Sequence, residues 1–111
     1  MFFKLTHIQQ KVGSEEHWTE ITAALAPKHT IILQCTAAWC APCQGLKDYI
    51  NSIVGDYPKC VFARVDVDEV PELGELFEVE TLPTTIVLKD GKQEKFGNDP
   101  DRILATAKAA K

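Results

Sequence analysis

The chemistry of this chain is concentrated in one stretch, Ala38-Trp39-Cys40-Ala41-Pro42-Cys43. Two cysteines at i and i+3 on the first turn of a helix share a face and lie close enough for a small-ring disulfide. Cys40 falls where backbone N–H groups have no partner inside the helix and where the macrodipole is positive. Both features favour thiolate over thiol, and the thiolate is the reactive species, so a lowered pKa is expected at Cys40. Cys43, one turn further in, is expected to be the more buried thiol. Pro42 suits a first turn, where its missing N–H costs nothing. A C-x-x-C pair that follows an apolar strand in a βαβ setting reads as a redox motif.

The elements that must hold this pair in place follow from periodicity. Phe3, Leu5 and His7 alternate as a first strand, and Gly13-Ser14 supplies a turn and an N-cap. Trp18, Ile21, Thr22 and Leu25 then recur at helical spacing, ended by Pro27. Thr30–Cys35 is a run of β-formers suited to a strand buried on both faces. A helix is expected from Cys40 to about Val54, with Cys43, Leu46, Ile50 and Ile53 facing inward, and Asp56-Tyr57-Pro58 breaks it. Val61, Ala63, Val65 and Val67 mark a third strand, with Arg64, Asp66 and Asp68 on the alternate positions. Val70, Leu73, Leu76 and Phe77 mark a short helix. Thr84–Leu88 and Gln93–Phe96 are strands joined by the Asp90-Gly91 turn signal. Asp99 as N-cap and Pro100 at the first helical position open a last helix, with Ile103, Leu104 and Ala107 inward. The early βαβ units demand parallel pairing with right-handed crossovers, the hairpin adds antiparallel strands, and a mixed sheet flanked by helices results.

Composition narrows the function classes. The chain has 111 residues, 45% hydrophobic and 25% charged, with 12 Lys+Arg against 16 Asp+Glu for a net charge of −4. Length argues for one domain. The mild acidity argues against nucleic acid as a partner. No apolar run approaches the roughly 20 residues that span a bilayer. Four cysteines in 111 residues fall well below the ~8–10% of a disulfide-stapled secreted scaffold. The first eleven residues carry no 7–15-residue apolar stretch of the secretory type, so a reducing intracellular compartment is expected. In that setting, closely spaced cysteines are catalytic or metal-binding more often than structural.

With these residues in view, WCAPC after a buried strand resembles the active site of the thioredoxin family. Leu82-Pro83-Thr84 resembles that family's cis-proline loop, Lys89-Asp90-Gly91 its final hairpin and Gly97 its late loop glycine, and Asp66-Val67-Asp68 ends the third strand as in relatives. The resemblance spans nearly the whole chain. It implies an α/β thioredoxin fold, a mixed five-stranded sheet flanked by four helices, as a single domain over residues 1–111. It further implies a thiol–disulfide oxidoreductase that reduces protein disulfides. Cys40 matches the nucleophile and Cys43 the resolving thiol, the two forming the redox-active disulfide. Trp39, Ala41, Pro42, Thr81, Leu82 and Pro83 match the substrate-binding surface, with Leu82 offering its backbone to an extended segment. No bound cofactor or metal is implied. The implied partners are disulfide-containing proteins and a separate, thioredoxin-reductase-like electron donor, with no nucleic acid and no membrane, and the implied state is a cytoplasmic monomer.

The chain also departs from the pattern. Relatives carry a buried aspartate six residues before the nucleophile, and here that position is Gln34, whose amide cannot take up a proton at neutral pH. Gln44 replaces a basic residue, Asp48 a helix-kinking proline, Ala41 and Thr81 glycines, and Glu80 adds an acid. Cys35 and Cys60 read as small hydrophobes packed in strands. His7, His17 and His29 read as surface residues. Two other readings of the cysteines are an interaction module without turnover and a metal or iron–sulfur site. For the latter, Cys35, Cys40 and Cys43 have C-x4-C-x2-C spacing and Cys60 would be the fourth ligand.

Overall fold

Thr30–Thr36 is buried along almost its whole length, and the rest of the molecule is arranged around it. The structure, a computed structural model, describes residues 9–110. The strand expected over Phe3, Leu5 and His7 lies outside the described residues. In chain order the elements are β1 (Gln10–Lys11), α1 (Glu15–Leu25), β2 (Thr30–Thr36), α2 (Ala41–Ile53), a 3-10 turn (Val54–Asp56), β3 (Cys60–Asp66), α3 (Pro71–Leu76), β4 (Thr84–Lys89), β5 (Lys92–Phe96) and α4 (Pro100–Ala109). The sheet order is β1-β3-β2-β4-β5. β1 and β2 run parallel to β3, while β4 is antiparallel to both β2 and β5. The described residues thus form a mixed five-stranded sheet flanked by four helices, the architecture expected from the sequence.

Alternation along the strands splits the core into two layers. Ile31, Leu33 and Cys35 of β2 join Val61, Ala63 and Val65 of β3 beneath α1 and α3. Ile32, Phe62 and Val87 face the other way, against Leu46 and Ile50 of α2 and Ile103 and Ala107 of α4. Trp18 is a core residue whose ring meets Phe77 edge-on at 5.8 Å. The expected caps are in place. The Ser14 hydroxyl accepts from the His17 N–H at 3.0 Å, and the Asp99 carboxylate accepts from the Arg102 N–H at 3.1 Å. Asp90 and Gly91 take φ of 52° and 75°, the pair of left-handed residues that a two-residue hairpin turn needs.

Four local expectations need adjustment. β3 ends at Asp66 rather than Val67. Leu76 is 57% exposed, because the six-residue α3 sends Leu73 and, just past its end, Phe77 into the core and leaves the i+3 position outside. His17 and His29 are half-buried. The His17 ring accepts from the Gly13 N–H, and the His29 ring bonds the Leu25 carbonyl, each at 3.1 Å.

Candidate active site

The central strand β2 delivers the chain to one end of the sheet, and a turn through Ala37–Trp39 leads into α2. The Cys40 N–H donates to the Ala37 carbonyl at 3.1 Å, and the Cys40 carbonyl accepts from the Gln44 N–H at 3.3 Å as the helix begins. Cys40 is therefore the N-cap of α2, with extended φ/ψ of −88° and 104°. Its Sγ accepts the Cys43 backbone N–H at 3.3 Å. Cys40 and Cys43 are joined as a disulfide, with Cα atoms 5.3 Å apart. When the disulfide is reduced, the same N–H and the positive end of α2 stabilise charge on the Cys40 sulfur. Pro42 sits in the first turn, as expected. Cys40 and Cys43 are 4% and 3% exposed. That is the expected order, but by a margin too small to separate their reactivity, which must come from the helix terminus.

Around the pair, Ala37 and Leu82 complete a small apolar cluster. The Leu82–Pro83 peptide bond is cis, and Pro83 is buried. The backbone N–H and C=O of Leu82 make no hydrogen bond within the described residues. The Thr81 carbonyl is taken by the Thr84 hydroxyl at 2.6 Å. Trp39 is 73% exposed, and its indole N–H donates to the Asp68 carboxylate at 3.0 Å. Asp68 is held by its own N–H donating to Asp66 Oδ1 at 2.8 Å. Ala41 and Pro42 are exposed. All eight residues expected at the site thus lie on the active-site turn or on the Thr81–Pro83 loop whose Leu82 packs against it.

Gln34 is a satisfied core amide. Its Nε2 donates to Thr85 Oγ1 at 2.9 Å, and the Thr85 hydroxyl donates either to Gln34 Oε1 at 3.2 Å or to the Gly97 carbonyl at 3.1 Å. In register, Gln34 lies beside Arg64 of β3. A cavity of about 100 Å³ lies behind the disulfide, lined by Gln34, Cys43, Arg64, Asp66 and Pro83 among others. Asp68, Thr85 and the cavity were not singled out as site features from sequence. The polar alternation Arg64, Asp66, Asp68 is the signal in the sequence for the two cavity residues and for the partner of Trp39.

Cys35 and Cys60 are free and buried. Burial pushes both thiols up to about 12, opposed at Cys35 by the positive charge of Lys95. They belong to opposite faces of the sheet, Cys35 under α1 and α3 and Cys60 under α2 and α4. In register, Cys60 pairs with Thr30 at one end of β2 while Cys35 is five residues further along, roughly 16 Å away at strand rise. The four thiols therefore cannot converge on one metal or cluster. Among the described residues, no group of three or more His, Cys, Asp or Glu side chains is placed to hold a metal ion.

Comparison with known proteins agrees with this geometry. The family model described as Thioredoxin matches residues 9–109. A "Thioredoxin H-type" of Fagopyrum esculentum is 33% identical over 76 residues, covering 67% of this chain and 66% of that protein. "Thioredoxin H3" of Arabidopsis thaliana is 36% identical over 93 residues, covering 81% of this chain and 79% of that protein. The chain thus spans just under two thirds of the length of the Fagopyrum relative. Among solved structures, the thioredoxin of Fasciola hepatica superposes with a TM-score of 0.84 at 23% identity, covering 93% of this chain and all of that one, a likeness of fold.

Proposed function

The chain belongs to the thioredoxin family, and on that premise we propose that it is a thiol–disulfide oxidoreductase that reduces protein disulfides through Cys40 and Cys43. The observation that carries this is the Cys40–Cys43 disulfide at the N-terminus of α2, with the Cys43 N–H directed at the Cys40 sulfur. In the reduced protein, the Cys40 thiolate attacks a substrate disulfide. One substrate sulfur leaves as a thiolate and takes a proton from water, and Cys40 is held in a mixed disulfide. Cys43, as thiolate, then attacks the Cys40 sulfur. The Cys40–Cys43 bond forms, and the second substrate sulfur leaves with its electron pair.

Trp39, Ala41, Pro42, Thr81, Leu82 and Pro83 form the partner-facing surface in this reading. The unpaired backbone groups of Leu82 receive an extended substrate segment, as in strand addition. The exposed Trp39 ring supplies apolar contact, and its bond to Asp68 fixes its orientation. The exchange needs only the two sulfurs, so no resident cofactor enters, and a separate dithiol reductase returns the electrons. The chain acts as one domain over residues 1–111 and as a monomer, in a reducing, cytoplasmic compartment. No helix among the described residues is long and apolar enough to cross a membrane.

A Cys43→Ser variant tests the assignment. Reduced and mixed with a disulfide-containing protein, it should accumulate a covalent adduct that peptide mapping places on Cys40 and that dithiothreitol releases. Adducts on Cys35 or Cys60, or none at all, would contradict it.

A further inference from the structure

The resolving step sets a problem that the structure itself poses. Cys43 must lose a proton to become a nucleophile, it is almost fully buried, and the neighbouring polar group on β2 is an amide committed to Thr85. The cavity of about 100 Å³ behind it has room for several water molecules, since one needs about 10–15 Å³ by this measure. Its lining joins Cys43 to Asp66, the only carboxylate there among the described residues, and the cations Lys11 of β1, Lys47 of α2 and Arg64 of β3 share it. Asp66 Oδ1 accepts from the N–H groups of Asp68 and Glu69, which leaves Oδ2 without a hydrogen bond within the described residues. The buried amide of Gln9, beside the same space, has no partner among the described residues. Buried amides are nearly always satisfied by protein or by water, and the cavity is the adjoining space from which water can reach this one.

Resting on the oxidoreductase reading above, we propose that Asp66 receives the Cys43 proton through water held in this cavity. The proton leaves the Cys43 sulfur for water, and water passes a proton to the Asp66 carboxylate. The Cys43 thiolate then attacks the Cys40 sulfur of the mixed disulfide. Asp66 returns its proton to solvent once the substrate thiolate has left. A carboxylate on β3 thereby does from across the cavity what Gln34 cannot do from β2.

The test uses Asp66→Asn, whose Oδ1 still accepts the Asp68 and Glu69 N–H groups. Stopped-flow single turnovers of the full chain separate attack by Cys40 from resolution by Cys43. Attack should be unchanged. Resolution at pH 7 should slow on the order of a hundredfold, the low end of what a positioned base supplies. The deficit should shrink as pH rises and hydroxide takes over as the proton acceptor, and Asp66→Glu should retain most of the rate. Wild-type resolution by Asp66→Asn, equal slowing of both steps, or failure of Asp66→Glu to retain the rate would overturn the proposal. If the wild-type chain shows no attack, it is the oxidoreductase reading that fails.

Discussion

Replacing Gln34 by aspartate tests how the site handles protons and what burial costs there. Gln34 is 4% exposed on the α2 side of the sheet and lines the cavity with Cys43. Aspartate is one methylene shorter and removes the N–H that Thr85 accepts at 2.9 Å, a loss of about 1 kcal/mol. Burial raises the pKa of the new carboxyl, and Arg64 beside it in register opposes part of the rise. A net rise of about 2–3 units corresponds to roughly 3–4 kcal/mol at 1.36 kcal/mol per unit. The sign follows from linkage. The folded state binds the proton more tightly than the unfolded one, so the penalty is absent below about pH 4 and grows until the folded pKa is passed. Urea unfolding should therefore show Gln34→Asp about 1 kcal/mol less stable than wild type at pH 4, and about 4–5 kcal/mol less stable at neutral pH. In single turnovers above neutral pH, the carboxylate should speed resolution by Cys43 and add a titrating step to the pH–rate profile. Equal destabilisation at both pH values with an unchanged profile would refute the reasoning, and Gln34 would be a core amide with no bearing on Cys43.

Two other expectations concern the scaffold. Mild oxidation should form the Cys40–Cys43 bond alone, and Cys35 and Cys60 should resist alkylation of the folded protein at pH 9. With both thiols at about 12 folded against 9.0 unfolded, stability is full below pH 9 and falls above it, by about 1 kcal/mol per thiol at pH 10. A Cys35→Ala/Cys60→Ala variant should lose less stability over that range in urea unfolding. Gly91→Ala forces a side chain into φ of +75° and should lower the urea midpoint by about 1 kcal/mol of stability with an unchanged slope.

Local signals carried most of the fold. The run Thr30–Cys35, the caps Ser14 and Asp99, Pro100, and the Asp90-Gly91 turn each act within a few residues, and each is visible in the chain. The disulfide pair was legible for the same reason, since i and i+3 on a first turn leave little freedom. The orientation of β4 was less so. The connection from β3 through α3 leads not to another parallel crossover but to a strand antiparallel to β2, and no short-range pattern specifies that choice. The polar pairs around the site were hidden for a related reason. Trp39 meets Asp68 from 29 residues away, and Gln34 meets Thr85 from 51. Strand pairing brings such partners together, Gln34 and Thr85 directly and Trp39 and Asp68 through the turns that follow β2 and β3, and sequence spacing does not encode it.

The most direct measurement is turnover of a protein disulfide with dithiothreitol as the electron source, for the wild-type chain, Cys40→Ser and Cys43→Ser. Wild type should reduce the substrate catalytically, Cys40→Ser should give only the background rate, and Cys43→Ser should stop after one equivalent as a mixed disulfide. Wild-type protein at the background rate, or full turnover by Cys40→Ser, would contradict the account.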